Sequence, residues 1–129
     1  MNEPVGIVVV SHSPLVARGT FDMIREMVGP EVPCAFAGGN PAGGLGTDPT
    51  AIRDAIRTAW SPSGVLVMVD LGGAEMNAEM AVEMLEEAER PLVSVCDAPL
   101  VEGSVMAATE AAAGSDLEQV RSTALELRP

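Results

Sequence analysis

Two side chains with complementary chemistry, a histidine and an aspartate, each follow an apolar run of the chain. His12, the only histidine, lies between Ser11 and Ser13, directly after the run at residues 5–10. Asp70 ends a second apolar run later in the chain. A continuous apolar run that stops at polar residues is typical of a strand buried on both faces. Because ligands of open α/β sheets bind at the carboxyl ends of strands, both residues are candidates for a functional site.

An imidazole beside a carboxylate has a defined chemical use. The acid can orient the ring and fix which nitrogen carries the proton, which leaves the other nitrogen as a nucleophile or ligand. Hydroxyl groups and bare backbone N–H groups at a helix start suit a phosphate, although a glycine cluster taken alone is more typical of a tight turn with nothing bound. Together these features predict phosphoryl transfer through His12, with Asp70 as the orienting acid. The predicted phosphate-binding residues are Ser11, Ser13, Thr47, Gly72 and Gly73.

The amino-acid composition limits the kinds of partner that the chain is expected to bind. With 129 residues, of which 47% are hydrophobic, the chain predicts one domain spanning residues 1–129 with a single core. Its net charge of −12, with seven arginines and no lysine, argues against binding to nucleic acid or an anionic membrane. The charge is compatible either with docking onto a basic face of another protein or with a solvated acidic surface. No apolar run is long enough to span a membrane and no cleavable signal is evident, so we expect a cytoplasmic protein.

Strand and helix patterns alternate along the whole chain, which predicts an α/β fold. Cys34 and Cys96 each fall within a predicted strand and are interpreted as small buried hydrophobic residues. The predicted strands are residues 5–10, 32–37, 64–70 and 91–96, and the predicted helices are about 14–28, 49–60, 75–89, one reaching 113, and a last one opened by a capping box at Ser115–Glu118. The segments 38–48 and 97–103 are predicted loops.

Helical crossovers between strands imply a doubly wound, mainly parallel four-stranded sheet with helices on both faces. The strand order 2-1-3-4 is the commonest short solution, and its switch point lies between the first and third strands. This order would bring His12 and Asp70 side by side at the crevice. It would also separate Cys34 from Cys96 by about 14 Å, since neighbouring strands lie about 4.8 Å apart, and so exclude a disulfide between them.

Four motifs at their observed spacing carry a family resemblance. They are Ser11–Ser13, Gly46–Asp48, Val69–Gly72 and Ala98–Gly103. Together they resemble the phosphotransfer subunits of bacterial dihydroxyacetone kinase, which are similar in fold to the mannose-type IIA domain of the sugar phosphotransferase system. The resemblance runs nearly from end to end of the chain, although each motif alone would be weak.

The resemblance implies a phosphoryl carrier that receives phosphate on His12 from the histidine-containing phosphocarrier protein. It further implies that His12 passes the phosphate to ADP held by the nucleotide subunit of the kinase, whose partner subunit binds dihydroxyacetone. It also implies a homodimer and no metal in this subunit, and we expect no cofactor. Some related chains carry further phosphotransferase domains, and we expect none in this chain, whose sequence stops at Pro129. Asp70 matches the family's acid near the active histidine. Gly73 is a departure, because related chains tend to carry serine at this position, and a hydroxyl contact to the phosphate is then missing.

Alternative functions remain open at this point. The same resemblance also fits a mannose-type IIA carrier that serves sugar transport. A receiver domain also has an acid at the end of the third strand, but receivers need an acidic pair after the first strand and a later lysine, which this chain lacks. A tetrapyrrole chelatase presents a histidine after its first strand, yet one histidine fills a metal site poorly. A non-catalytic binding module is the fourth alternative.

Met76, Met80 and Met84 recur at intervals of four residues on one predicted helix. A methionine column of this kind is typical of a core or a subunit interface. The period does not reveal which face of the helix is exposed.

Overall fold

A computed structural model describes residues 3–129 of the protein. The strands are β1 (Gly6–Ser11), β2 (Cys34–Gly38), β3 (Val65–Val69) and β4 (Val93–Asp97). The helices are α1 (Pro14–Val28), α2 (Pro49–Thr58), α3 (Gly72–Glu83), α4 (Leu100–Ala112) and α5 (Leu117–Leu125), and a short 3-10 helix spans Arg90–Leu92. No helix within residues 3–129 is long and apolar enough to cross a membrane.

The four strands form one parallel sheet in the order β2-β1-β3-β4, as the alternation of elements predicted. The central strand β1 pairs with β2 on one side, where Val9 lies opposite Phe36, and with β3 on the other, where Val9 lies opposite Met68. The point at which the chain changes direction across the sheet therefore lies between β1 and β3. The fold class is confirmed, including the predicted switch point.

Two cores cover the two faces of the sheet, because alternate strand residues point to opposite sides. Ile7 and Val9 of β1 face a cluster built with α1, α4 and α5. Val8 and Val10 face the other cluster, which contains Ile52 and Ile56 of α2 and the buried alanines of α3. Both faces of β1 are fully covered, which explains why its sequence is continuously apolar rather than alternating.

Small residues allow α3 and α1 to approach the sheet closely. The buried side of α3 consists of alanines, namely Ala74, Ala78 and Ala81. At the end of β2, a Cβ atom on Gly38 would lie 2.8 Å from the Cα atom of Pro14, so only glycine lets the start of α1 pack there. The two helices begin at the carboxyl end of the sheet and pack on its opposite faces.

The two cysteines are free and buried, as predicted, and lie in the two edge strands. Burial is the main cause that raises the pKa of Cys34, to about 11, and the pKa of Cys96 is raised for the same reason. Both thiols are therefore protonated at neutral pH and behave as small apolar side chains.

Helix α3 differs from its predicted range of about 75–89. It begins earlier because the backbone N–H of Ala74 already donates to the Leu71 carbonyl oxygen at 2.8 Å. It ends at Glu83 because Arg90 folds back and donates from its side chain to the carbonyl oxygens of Glu83 and Leu85. The prediction of a helix continuing to 89 is therefore wrong, since the Arg90 side chain bonds the carbonyl oxygen of the last helical residue, Glu83, and that of Leu85 beyond it.

Two further predictions fail at the carboxyl-terminal helices. Helix α4 begins at Leu100, within the segment 97–103 that was predicted to be a loop. The capping residue of α5 is Asp116, whose Oδ1 accepts the Gln119 N–H at 2.9 Å, rather than Ser115. The Ser115 hydroxyl instead donates to Glu110 of α4, a tertiary contact that the local pattern does not contain.

Helix α1 buries only some of its apolar side chains. Ile24 is fully buried, and Phe21 and Val28 pack against the core. Leu15 and Met27 are exposed. The methionine column of α3 is exposed as well, so the core interpretation of that column is wrong.

Candidate active site at the switch point

His12 and Asp70 meet at the switch point, where β1 and β3 end side by side. The Nδ1 atom of His12 lies 2.9 Å from Oδ1 of Asp70. The two side chains are 27% and 20% exposed, which makes them accessible from solvent while the contact itself is partly shielded. The pairing predicted from strand order is thus present in the structure.

Four hydrogen bonds fix the Asp70 carboxylate. Oδ2 accepts the Ser11 hydroxyl at 2.7 Å and the backbone N–H of His12 at 3.1 Å. Oδ1 accepts the backbone N–H of Leu71 at 2.7 Å in addition to the His12 ring. Partial burial alone would raise the pKa of Asp70, but the bonds from the His12 ring, Ser11 and the two backbone groups outweigh it, so the pKa lies below its ordinary value. Asp70 is therefore ionised at neutral pH.

The charge of Asp70 determines the tautomer of His12. An ionised carboxylate only accepts hydrogen bonds, so the Nδ1 atom that faces it must carry a proton. In the neutral ring, Nε2 then holds the free electron pair. Nε2 is therefore the ring nitrogen that remains available as a nucleophile or ligand, a choice that the sequence left undecided.

The start of α3 lies against Nε2. A Cβ atom placed on Gly73 would be 3.4 Å from this nitrogen, so the glycine leaves open space in front of it. Leu71 precedes the helix and provides no side-chain cap. The first N–H groups of an α-helix generally have no partner within it, although that of Ala74 donates to the Leu71 carbonyl oxygen here, and the helix dipole makes this end partially positive. An anion attached to Nε2 would lie beside this helix start.

The two serines on either side of His12 were both predicted to bind phosphate, but in the structure each makes hydrogen bonds within the protein. Ser11 is buried, its hydroxyl donates to Asp70, and its oxygen accepts the backbone N–H of Ser13 at 3.0 Å. Ser13 caps α1, because its Oγ accepts the Val16 N–H at 3.3 Å. The Ser13 hydroxyl proton remains available, whereas that of Ser11 is committed to the carboxylate.

Thr47 reaches the site through a contact that sequence reasoning missed. The side-chain Nδ2 of Asn77, on the second turn of α3, donates to the Thr47 hydroxyl oxygen and lies 3.4 Å from the Thr47 carbonyl oxygen. Since Thr47 accepts this bond, its own hydroxyl proton is free to donate elsewhere. The one signal in the sequence is that Asn77 is the single uncharged polar side chain of α3.

The loop between β2 and α2 is held over His12 by its own hydrogen bonds. Asn40 organises it, because its Oδ1 accepts the N–H groups of Ala42 and Gly44 and its Nδ2 donates to the Leu45 carbonyl oxygen. The backbone N–H of Gly46 donates to the His12 carbonyl oxygen at 3.0 Å. The loop is therefore a positioned wall of the site.

Two cavities of the molecule do not include His12 in their lining. One, of about 450 Å³, lies at the β2 edge between α1 and α2. The other, of about 290 Å³, is lined by Asp70, Asp97 and Arg128 among others. Within residues 3–129, no cluster of three His, Cys, Asp or Glu side chains could hold a metal ion.

The fold and this pair of side chains define a class of protein. A family model for EIIA-man, described as the PTS system fructose IIA component, matches residues 6–121, which include every element up to most of α5. The chain belongs to the EIIA-man family.

Curated relatives narrow the similarity to one kind of subunit. The phosphoryl donor subunit DhaM of a PEP-dependent dihydroxyacetone kinase from Klebsiella michiganensis is 37% identical over 119 residues, which cover 90% of this chain and 25% of the relative. The corresponding subunit of PEP-dependent dihydroxyacetone kinase 2 from Listeria innocua is 36% identical over 116 residues, covering 90% of this chain and 93% of the relative. The predicted resemblance is therefore confirmed. The chain spans about a quarter of the Klebsiella relative and nearly all of the Listeria one.

A solved structure supports the fold over the whole chain. The crystal structure of the unknown-function protein EF1359 superposes with a TM-score of 0.87 at 35% sequence identity. The match covers 100% of this chain and 98% of the other.

Proposed function

We propose that this chain is a phosphoryl carrier that accepts phosphate on Nε2 of His12 and passes it on to a nucleotide. The donor is the histidine-containing phosphocarrier protein, and the acceptor is ADP bound in the nucleotide subunit of a dihydroxyacetone kinase. The observation that carries the proposal is the 2.9 Å contact between His12 Nδ1 and Asp70, which leaves Nε2 as the free nucleophile beside the uncapped start of α3.

The transfer balances without any further reactant. The electron pair of Nε2 forms a bond to phosphorus while the N–P bond of the donor's phosphohistidine breaks, and its electron pair returns to the donor ring. Positive charge develops on the His12 ring, whose Nδ1 proton stays on Nδ1, and Asp70 stabilises that charge. In the second step an oxygen of ADP forms the new bond to phosphorus and Nε2 regains its electron pair.

The relatives support this role because each bears the description of a phosphoryl donor subunit. The Listeria relative has nearly the same length as this chain, so the carrier domain occurs there without large additional segments. The identity of the final substrate, dihydroxyacetone, comes to this chain from those relatives alone. The homodimer implied by the resemblance likewise stays a prediction, and light scattering at micromolar concentration would test it.

A second candidate is a carrier for sugar transport, which the family description favours. It would use the same His12 and differ only in the acceptor protein. The relatives named above favour the kinase as acceptor. A receiver-like role for Asp70 is disfavoured, because both oxygens of its carboxylate already accept two hydrogen bonds each.

Reconstitution with phosphoenolpyruvate and the general phosphotransferase proteins tests the proposal. We expect one acid-labile phosphate per chain, located on His12 by peptide mapping, and discharge of it by the kinase nucleotide subunit with bound ADP. His12→Gln should abolish labelling and keep the fold, because the ring lies at the surface of the crevice. An acid-stable label, or labelling that survives this substitution, would contradict the proposal.

Discharge only to a sugar-transport subunit would favour the second candidate. The matched negative control is Gln119→Ala, a change on the exposed surface of α5 that should leave labelling unaltered.

A further inference from the structure

The contact between Asn77 of α3 and Thr47 has a defined direction. The Nδ2 atom of Asn77 donates to the Thr47 hydroxyl oxygen and lies 3.4 Å from the Thr47 carbonyl oxygen. Because a carbonyl oxygen only accepts hydrogen bonds, the side of the amide that faces Thr47 is its NH2 group. The Thr47 hydroxyl is therefore the acceptor in this contact, and its own proton is directed away from Asn77.

The position of Asn77 on α3 relates this contact to the His12 ring. Gly73, where a Cβ atom would lie 3.4 Å from Nε2, precedes Asn77 by four residues, or about 6 Å along the helix axis. Side chains of an α-helix lean towards its N-terminus, so that of Asn77 lies over the turn that begins near Gly73. Asn77 thus holds the Thr47 hydroxyl beside the helix start that faces Nε2.

The backbone on either side of Thr47 is held by other contacts. The Gly46 N–H donates to the His12 carbonyl oxygen at 3.0 Å. On the other side, the Asp48 carboxylate caps the start of α2. Because both neighbours of Thr47 are anchored without Asn77, the Asn77 side chain contributes mainly to the rotation of the Thr47 hydroxyl group and less to the position of the loop.

The other hydroxyl groups predicted to bind phosphate are engaged elsewhere. The Ser11 proton is committed to Asp70, and Ser13 caps α1 on the opposite face of the sheet from α3. Gly73 has no hydroxyl group. Thr47 is consequently the predicted hydroxyl donor that lies beside the start of α3.

We infer that Asn77 is a positioning residue for phosphate transfer, which fills the acceptor side of the Thr47 hydroxyl and so directs the Thr47 proton to the phosphate on Nε2 of His12. A donor that is oriented in advance stabilises a transferring phosphoryl group without reorganisation during the reaction. The inference rests on the proposed carrier function, since that function supplies the phosphate.

Asn77→Asp separates the orientation of the hydroxyl from the attachment of the loop. An ionised carboxylate only accepts, so the Thr47 hydroxyl would donate to position 77 and the two side chains would stay bonded. The proton would then be turned away from the phosphate. We expect the plateau rate of His12 phosphorylation, measured by quench-flow, to fall about tenfold while the KM for the donor protein and the free energy of unfolding stay nearly unchanged.

The effect of the added charge is measured in a background without the hydroxyl. In Thr47→Val there is no proton to redirect, so adding Asn77→Asp should change the rate by at most about twofold. Gln119→Glu, on the exposed surface of α5, adds the same charge away from the site and should keep the parent rate. Equal rate factors for Asn77→Asp in the parent and in the Thr47→Val background would overturn the inference, because charge alone would explain them.

Variants of Thr47 test the donor itself. Thr47→Ser keeps the hydroxyl and should stay within about twofold of the parent, whereas Thr47→Val should be about tenfold slower. Asn77→Ala leaves the hydroxyl free to rotate and should slow transfer about threefold in the parent and not at all in the Thr47→Val background. A parent-like rate for Thr47→Val would overturn the inference.

Phosphoramidate, a small donor that phosphorylates imidazole without a protein partner, distinguishes a failure of the inference from a failure of the proposed function. If phosphoramidate labels His12 with the pattern expected above and the phosphocarrier protein does not label it, the inference holds and the proposed carrier role fails. Equal rates of transfer from the phosphocarrier protein to the parent, Thr47→Val and Asn77→Asp would overturn the inference and leave the carrier role in place. Absence of labelling of the parent by either donor would overturn both.

Discussion

Helices α1 and α3 both begin beside His12, yet their first turns differ. The start of α1 is closed, because the Ser13 oxygen accepts the Val16 N–H and the Ser13 carbonyl oxygen accepts the Ala17 N–H. The start of α3 has no side-chain cap and contains two glycines. A helix start without a cap is less stable by about 1 kcal/mol than one with Ser, Thr, Asp or Asn. The difference fits the proposed function, in which α1 positions the histidine and the start of α3 receives the phosphate.

Asp70→Asn tests whether phosphorylation of His12 requires the ring orientation that Asp70 fixes. An amide at position 70 can donate to Nδ1, which would move the ring proton to Nε2 and remove the nucleophile. We expect phosphorylation of His12 to slow at least tenfold, about 1.4 kcal/mol of barrier, and by up to roughly 10⁴. Quench-flow with the phosphocarrier protein measures it. A parent-like rate between pH 6 and 8 would make Asp70 a structural acid only.

Gly73→Val tests whether the space in front of Nε2 must stay open for phosphate transfer. The branched side chain would extend from a Cβ position 3.4 Å from Nε2 into the region that a phosphate must enter. We expect transfer about tenfold slower, since small displacements of reacting groups cost rates of this order. Gly72→Val is the matched control, because nothing lies within 4 Å of a Cβ there. Equal rates for the two valine variants would show that the position of Gly73 is unimportant.

Because Ser13 caps α1, we expect Ser13→Ala to lower the stability of the protein and to leave the rate of phosphate transfer nearly unchanged. Loss of the cap should lower the free energy of unfolding by about 0.5–2 kcal/mol, measured by urea titration. The rate of phosphate transfer should stay within about twofold, a change under 0.5 kcal/mol of barrier. Ser11→Ala is the contrasting variant, since it removes a hydrogen bond to Asp70 and should slow transfer several-fold. If Ser13→Ala slowed transfer as much as Ser11→Ala, Ser13 would be a phosphate contact after all.

The smallest effect is expected from the pH dependence of stability. The pKa of Asp70 is lowered in the folded protein, so the folded state binds this proton more weakly than the unfolded chain, whose aspartates titrate near about 3.9. The stabilisation is therefore present above that unfolded value and is lost as pH falls through the folded value. The difference in unfolding free energy between the parent and Asp70→Asn should shrink as the pH falls below about 4. A constant difference down to pH 2 would contradict the lowered pKa.

Features governed by strand order could be predicted from the sequence. The apolar runs before His12 and Asp70 identify two buried strands, and parallel topology then leaves few ways to arrange them. The contact between the two side chains follows from that order. The free, separated cysteines follow from it as well.

Features governed by competition between local and tertiary hydrogen bonds could not be predicted. The end of α3 depends on the Arg90 side chain, and the start of α5 depends on Ser115 bonding to Glu110 rather than capping the helix. The contact of Asn77 with Thr47 joins residues thirty positions apart. The exposure of the methionine column could not be read from its period, because a four-residue spacing is the same on a buried and on a solvent-facing side.

The hydrogen bond between Nδ1 and Asp70 has a stereochemical consequence. A free imidazole can rotate about its bond to Cβ and present either nitrogen, and so yields two regioisomers of phosphohistidine. A ring whose Nδ1 is held by an ionised carboxylate presents only Nε2, so every chain would carry the same regioisomer. Donor and acceptor would then meet the phosphorus atom at one location relative to β1. The forward and reverse transfers could share a single reaction geometry, and a fixed acid would make the carrier regiospecific.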